Sequence, residues 1–328
     1  MAPTGKSPLN LVLGAGNVVG DKSVDPTARF DTPNEVNAYV SAFAARGYHR
    51  IDTARLYSPM APGSSEPRIG AINVGNEYIL DTKVKSGQPG CHTKEKVLEE
   101  IDISLKALKI KQIYTEYLHL PDRETPFEEA CEAMDQAHRE GKIKHWGLSN
   151  YTADEVQRII DICEERSFIK PNAYQGHYNP IVRSGEKCLF PLLRKHRIAF
   201  YAYSPAAAGF FAGNHKDLKA GGRFDPSHMT GTLYSGKYLK PAIMKATDKT
   251  LEVAARHGIG GHAAALRWSA WHGILRKEYG DSIIIGSSSI AQLESNIDMI
   301  EAGPLPEDVV AALEALYHEI GDEVPYHL

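Results

Sequence analysis

Four residues in the first half of the chain have types that can transfer a proton and hold charge: Asp52, Tyr57, Lys83 and His119. A tyrosine is a poor acid at neutral pH unless a neighbouring cation favours loss of its proton. Lys83 would supply that cation, and Asp52 would keep the lysine charged and oriented. His119 could hydrogen-bond a substrate oxygen. This set suits proton delivery to a carbonyl oxygen while hydride adds to the carbon.

The elements that must position these residues are short apolar runs alternating with amphipathic segments, a pattern typical of a parallel sheet covered by helices. The predicted strands are 11–13, 49–52, 77–83, 113–119, 143–148, 173–175, 198–203 and 283–285. The predicted helices are 34–46, 93–108, 126–140, 153–166, 188–196, 263–271, 291–301 and 307–318. Eight such strands predict an α/β fold, a (β/α)8 TIM barrel. No linker or repeat divides the chain, so we expect one domain over residues 1–328.

The candidate residues fall at the ends of successive predicted strands. Asp52, Lys83 and His119 end strands two to four, and similar polar or aromatic residues follow at Asn150, Gln175 and Tyr203. Their spacing of about thirty residues corresponds to one βα unit. In a barrel these strand ends meet at one face, where active sites lie. We therefore expect the side chains to converge there.

Each catalytic candidate also has an ordinary structural interpretation. Asp52 could be a turn carboxylate, Lys83 a charge at the rim of the sheet, His119 a hydrogen-bonded core histidine and Tyr57 a packing residue. Their joint placement at consecutive strand ends favours function.

A glycine-rich stretch, GAGNVVG at residues 14–20, is similar to the G-x-G-x-x-G dinucleotide fingerprint, but its last gap is one residue longer. The fingerprint also requires a helix directly after the strand, and the first predicted helix begins near residue 33. The stretch is therefore predicted to be a turn.

Composition excludes several classes of protein. The net charge of −4 and the absence of a basic block argue against a nucleic-acid partner. No apolar run is long enough for a membrane span or a signal peptide. The four cysteines are far apart, which favours reduced thiols and a cytoplasmic location. The fourteen histidines form neither H-x-H nor H-E-x-x-H, so no metal site is predicted.

Five motifs together resemble those of the aldo-keto reductases: DTARLY at 52–57, TKV at 82–84, YLHLPD at 117–122, GLSN at 147–150 and AYSP at 202–205. The resemblance runs along nearly the whole chain. It is greatest to the aflatoxin-aldehyde reductase branch, through YQG at 174–176 and the serines, Gln292 and Asn296 after the last strand.

The resemblance implies that Tyr57 is the general acid and that Lys83 lowers the pKa of Tyr57. It also implies that Asp52 is the counter-ion of Lys83 and that His119 orients the substrate. It also implies binding of NADPH in preference to NADH. Asp52 would lie against the cofactor, the carboxamide would be held by Ser149, Asn150 and Gln175, and Tyr203 would stack on the nicotinamide. The implied contacts of the pyrophosphate are Ser204, Ala206, Gly209 and Gly213, and those of the adenosine end are Gly286, Ser287, Ser288, Ser289, Gln292 and Asn296.

One departure concerns the 2′-phosphate of NADPH, which normally needs a basic partner. Residues 286–296 contain none, but Arg223 is similar to an arginine that the aflatoxin-aldehyde branch uses near the cofactor. We therefore expect Arg223 to bind NADPH.

The resemblance implies NADPH-dependent reduction of an aldehyde or ketone, with a small-molecule carbonyl as the substrate. The alternative is a cofactor-binding regulatory barrel with slow or vestigial turnover, and a metal-dependent hydrolase is disfavoured by the histidine spacing. A homodimer remains an open expectation. Residues 206–240 predict a long loop after strand seven, and a helix and tail follow the last βα unit.

Overall fold

The computed structural model describes residues 7–16, 18–216, 218 and 221–327. Eight parallel strands pair in chain order, and the last pairs with the first to close a barrel. The strands are β1 (Asn10–Gly14), β2 (Arg50–Asp52), β3 (Ile79–Val84), β4 (Ile113–Leu118), β5 (Ile143–Ser149), β6 (Ala173–His177), β7 (Ala199–Tyr203) and β8 (Ser282–Ile285). The predicted (β/α)8 barrel is confirmed.

Helices cover the outside of the barrel and its open end. They are α1 (Pro33–Ala45), α2 (Ser65–Gly70), α3 (Lys94–Leu108), α4 (Phe127–Arg139), α5 (Ala153–Arg166), α6 (Leu189–His196), α7 (Met229–Tyr238), α8 (Pro241–Arg256), α9 (Gly261–Arg267), α10 (Ile290–Glu301) and α11 (Glu307–Ile320). None of these described helices is long and apolar enough to cross a membrane.

Local sequence explains where several helices begin and end. Thr32 caps α1, and its side chain and that of Glu35 exchange hydrogen bonds with each other's backbone. Thr152 and Glu155 cap α5 in the same way. Gly141, with a φ of 73°, follows α4 at the position where a left-handed residue ends a helix. These signals account for the agreement of the predicted helix bounds.

Three helices, α2, α7 and α8, were missed in the sequence prediction, and part of the predicted loop was wrong because α7 lies within it. α2 is too short for a periodic signal, whereas α8 carries one, with Pro241 at its first turn and buried residues at helical spacing. Within residues 206–240, Ala207–Ala212 forms a 3₁₀ segment and α7 is helical. Gly231 and Gly236 weaken the helical signal of α7. Positions 217, 219 and 220 of the predicted loop lie outside the described residues.

The amino-terminal half of the barrel interior holds a buried ion pair. The Arg50 guanidinium donates to both Asp81 oxygens at 2.5 and 2.9 Å, and to the hydroxyls of Tyr201 and Thr115. Asp81 is buried, and the Arg50 guanidinium is its ion-pair partner within the described part of the chain. The pair therefore fixes three strands to β2 from inside the barrel.

Replacing Asp81 with asparagine would leave the Arg50 charge buried without a counter-ion. We expect the free energy of unfolding to fall by about 3–5 kcal/mol. Glu128→Gln, which breaks an exposed pair with Arg158, is the matched control and should cost less than about 1 kcal/mol. Urea unfolding of the three proteins measures both effects. Equal losses in the two variants would contradict a stabilising role for the buried pair.

Candidate active site

The carboxyl ends of the strands bring the predicted residues to one end of the barrel. Asp52 ends β2, Ser149 ends β5 and Tyr203 ends β7, while Lys83 and Gln175 lie one or two residues before their strand ends. Strand register places neighbouring residues at similar heights, for example Ser149 beside Gln175. The predicted convergence of these side chains therefore occurs.

Lys83 is the centre of this arrangement. Its ammonium is fully buried and donates to Asp52 Oδ2 and to the Thr53 carbonyl, each at 2.7 Å. Gln175 Nε2 donates to the other oxygen of Asp52 at 2.8 Å. Burial acts to lower the pKa of Lys83, but the charges of Asp52 and Tyr57 and the hydrogen bonds with both together raise it. Lys83 is therefore a permanent cation at neutral pH.

Tyr57 lies in the loop after β2, with the Lys83 Nζ 4.7 Å from the centre of its ring. Burial raises the pKa of Tyr57, while the charge of Lys83 acts in the lowering direction. The phenol therefore keeps its proton at neutral pH, and the cation beside it stabilises the phenolate that would form when the proton leaves.

His119 follows β4 and meets the Tyr57 ring edge to face, with ring centres 5.5 Å apart. Burial lowers its pKa well below the usual value, and the charge of Lys83 lowers it further. The imidazole is therefore neutral. Its Nδ1 is buried and has no hydrogen-bond partner among the described residues, whereas the side chain as a whole is half-buried.

Ser149, Asn150 and Tyr203 form a hydrogen-bonded amide cluster beside this pair. Asn150 Nδ2 donates to the Ser149 hydroxyl and the His119 carbonyl at 3.0 Å, and the Tyr203 hydroxyl donates to Asn150 Oδ1 at 3.0 Å. Asn150 adopts a left-handed φ of 67°, which turns its side chain back toward the strand ends. His177 stacks on one face of the Tyr203 ring at 5.0 Å. A flat ligand could therefore stack only on the opposite face.

The predicted adenosine-end residues follow β8 and begin α10. Ser289 caps this helix by accepting from the Gln292 amide, and Ser288 donates to Gln292 Oε1. The Ser287 amide donates to the Tyr39 hydroxyl at 3.2 Å. Asn296 is bonded to His262, one turn further along α10. Gly286 lies against the Gly14 carbonyl, which a Cβ would approach to 3.2 Å.

The predicted pyrophosphate segment after β7 turns back over the barrel through left-handed residues. Ser204, Gly209 and Gly213 have φ angles of 54°, 88° and 81°, and Ala206 between them is buried. Arg223 reaches across to the β1 end, where its Nη2 donates to the Gly16 carbonyl at 3.2 Å. The structure therefore places the predicted cofactor residues around one end of the barrel: Asp52 and Gln175 on β2 and β6, and the others at or after the ends of β5, β7 and β8.

Several residues that hold the Tyr57 loop were missed in the sequence analysis. The buried Asp25 accepts hydrogen bonds from the Ser58 hydroxyl and from the amide of Met60. Below the loop, Arg55 pairs with the buried Glu66 and with Glu100. Of these residues, only Arg55 could have been singled out from the sequence, because it lies between Asp52 and Tyr57 in the DTARLY motif.

A closed parallel barrel with reactive side chains at the carboxyl ends of its strands defines a (β/α)8-barrel enzyme. The chain belongs to the Aldo/keto reductase family, whose sequence model matches residues 10–318. It is an NADP-linked oxidoreductase.

Named relatives extend along most of the chain. It is 38% identical over 276 residues to "Oxidoreductase sirO" of Leptosphaeria maculans, covering 84% of this chain and 83% of the relative. It is 36% identical to "Aflatoxin B1 aldehyde reductase member 2" of Homo sapiens, covering 90% and 85%. It is 31% identical to "Aldo-keto reductase pigE" of Monascus ruber, covering 98% of each. The predicted resemblance to aflatoxin-aldehyde reductases is confirmed.

Buried neutral histidines near the site make stability depend on pH. Burial lowers the pKa of His92 to about 4 and that of His177 well below its usual value. Below pH 6.5 the unfolded chain protonates these rings and the native protein does not, so stability is lost as pH falls. We expect each ring to contribute up to about 1.4 kcal/mol per pH unit, for His92 between pH 6.5 and 4.

Urea unfolding at pH 7, 6 and 5 measures this dependence. His92→Gln should flatten it, and the exposed His318→Gln should leave it unchanged. An identical pH dependence in wild type and His92→Gln would show that folding does not lower the pKa of His92.

Proposed function

We propose that the protein reduces an aldehyde or ketone to an alcohol with NADPH, using Tyr57 as the general acid. The observation that supports this most strongly is the fully buried Lys83 ammonium, held by Asp52 beside the Tyr57 ring. A buried ammonium next to a protonated phenol provides both a proton and a stabilising charge for the phenolate that remains. A packing role for the tyrosine requires neither.

Bound NADPH would supply the hydride that adds to the carbonyl carbon. As negative charge develops on the carbonyl oxygen, the Tyr57 hydroxyl would transfer its proton to that oxygen and complete the alcohol. The phenolate would be stabilised by Lys83, whose own charge is retained by Asp52. The neutral His119, half-buried against the Tyr57 ring, suits a hydrogen bond that orients the carbonyl group.

The residues around the barrel end fit the cofactor. Ser149, Asn150 and Gln175 offer amide and hydroxyl groups for the carboxamide, and the open face of Tyr203 suits stacking on the nicotinamide. The start of α10 offers backbone N–H groups for a phosphate. Arg223 has no carboxylate partner among the described residues, which supports a phosphate ligand and a preference for NADPH over NADH.

The identity of the carbonyl substrate, the homodimer and the cytoplasmic location stay predictions. The alternative, a regulatory barrel with vestigial turnover, retains the same four residues. A multiple-turnover assay with an aromatic aldehyde separates the two, because a regulatory barrel would complete few turnovers at saturating NADPH.

Tyr57→Phe removes only the donated proton and should lower kcat by about 10²- to 10⁴-fold with little change in the Kd of NADPH. Lys83→Met should also lower kcat, because the phenolate of Tyr57 would lose its stabilising charge. NADPH oxidation followed by absorbance measures kcat, and quenching of protein fluorescence measures Kd.

Tyr279→Phe, which alters an exposed phenol far along the chain, is the matched control and should retain wild-type kcat. If Tyr57→Phe also retained kcat, another group would have to donate the proton, and the assignment of Tyr57 would be wrong.

A further inference from the structure

Two segments far apart in sequence meet beside the candidate cofactor site. Arg29, in the connection from β1 to α1, donates from Nη2 to the Gly221 carbonyl at 2.9 Å. Gly221 has a φ of 68°, and its backbone lies so close to the Pro26 carbonyl that a Cβ would collide with it. The chain after β7 therefore packs on the β1–α1 connection without room for a side chain between them.

This junction brings together two guanidinium groups, Arg29 and Arg223, without an acidic partner. Neither forms an ion pair with any carboxylate in the described part of the chain; both donate to backbone carbonyls instead. Burial lowers the pKa of Arg29, and the neighbouring charge of Arg223 lowers it further, while the charge of Asp25 acts in the opposite direction without forming an ion pair. Two like charges held together in a partly buried position repel each other, and an anion bound between them would relieve that repulsion.

The position of Arg223 indicates which kind of anion would bind between the two arginines. Its bond to the Gly16 carbonyl places it at the Tyr57 end of the site, since a Cβ on Gly16 would lie 3.1 Å from the Tyr57 ring. Its guanidinium is also 5.9 Å from the centre of the Tyr234 ring, whose hydroxyl contacts Ser204 at 3.3 Å.

Arg223 is also near the start of α10. Burial raises the pKa of Tyr39, while hydrogen bonds with Ser287 and the charge of Arg223 act against that shift. Arg223 therefore lies among the β1 end, the segment after β7 and the residues after β8, where the phosphates of a bound dinucleotide would lie.

We propose that Arg29 joins Arg223 in binding a phosphate group of the dinucleotide, as a two-arginine site that spans the β1–α1 connection and the chain after β7. This proposal rests on the proposed function and adds a binding residue from an element outside the strand ends. A guanidinium keeps free N–H groups after bonding to a carbonyl, so each arginine can hold the backbone and still donate to a phosphate oxygen.

The test compares variants that separate charge from hydrogen bonding. Arg29→Gln keeps an N–H donor for the Gly221 carbonyl but removes the charge, and Arg29→Lys keeps the charge. Arg223→Gln tests the second member, and Lys22→Gln, an exposed lysine of the same connection paired with Glu35, is the matched control. Fluorescence titration measures the Kd of NADPH and of NADH at 50 and 300 mM salt.

We expect Arg29→Gln and Arg223→Gln to raise the Kd of NADPH by about 10- to 100-fold. Lys22→Gln should stay within about threefold of wild type, and Arg29→Lys should lie between wild type and Arg29→Gln, since lysine restores the charge but not the several N–H donors of the guanidinium. The salt dependence of Kd should also weaken in Arg29→Gln, because a screened charge has been removed. An equal loss for NADH would assign the site to the pyrophosphate, and a loss for NADPH alone would assign it to the 2′-phosphate.

The proposal is overturned if Arg29→Gln, folded by circular dichroism, binds NADPH as wild type does. That result leaves the proposed function intact, because wild type still binds and turns over NADPH. Titration with inorganic pyrophosphate tests the opposite case, in which the phosphate site exists but the proposed function is wrong. Pyrophosphate binding that depends on Arg29, in a protein that binds neither dinucleotide, would support the phosphate site and overturn the proposed function; absence of both would overturn both.

Discussion

A fully buried ammonium is the constraint on which the carboxyl end of this barrel depends. Removing the Lys83 charge from water is unfavourable by several kcal/mol unless nearby groups compensate it. The compensating groups are the Asp52 carboxylate and the Thr53 carbonyl, from the adjacent strand and the residue after it. Gln175, from the far side of the barrel, orients the carboxylate. Barrel closure therefore assembles the site, because no single βα unit contains the compensation that Lys83 requires.

The strand that holds Lys83, β3, also carries a buried negative charge, Asp81, nearer the amino-terminal end of the barrel. Asp81 and Lys83 are two residues apart on β3, so both side chains point into the interior. Asp81 is neutralised by Arg50 within the amino-terminal half, and Lys83 by Asp52 at the carboxyl end. The first pair joins strands within the barrel, and the second lies among the candidate active-site residues. The two buried pairs therefore occupy opposite ends of the barrel interior.

The strands, and the convergence of Asp52, Lys83 and Gln175, could be predicted from the sequence because apolar runs and a spacing of one βα unit are local signals. The hydrogen bond by which Asp25 holds the Tyr57 loop could not be predicted, because it depends on the close approach of Ser58, which is 33 residues away in the sequence. α7 was missed for another reason. Its two glycines obscure helical periodicity, and its aromatic side chains are ordered by packing with distant rings such as His177 and Phe210. Tertiary contact, rather than propensity, determines both features.

Surface connections usually accept extra residues at little thermodynamic expense. The β1–α1 connection differs because three of its residues are fixed to two other segments: Gly16 and Asp25 against Tyr57 and Ser58 in the loop after β2, and Arg29 against Gly221 in the chain after β7. Lengthening it would shift at least one of these contacts out of register. An inserted epitope tag or a circular-permutation site would therefore be poorly tolerated here, and natural length variation in this stretch would be confined to positions between the three anchors.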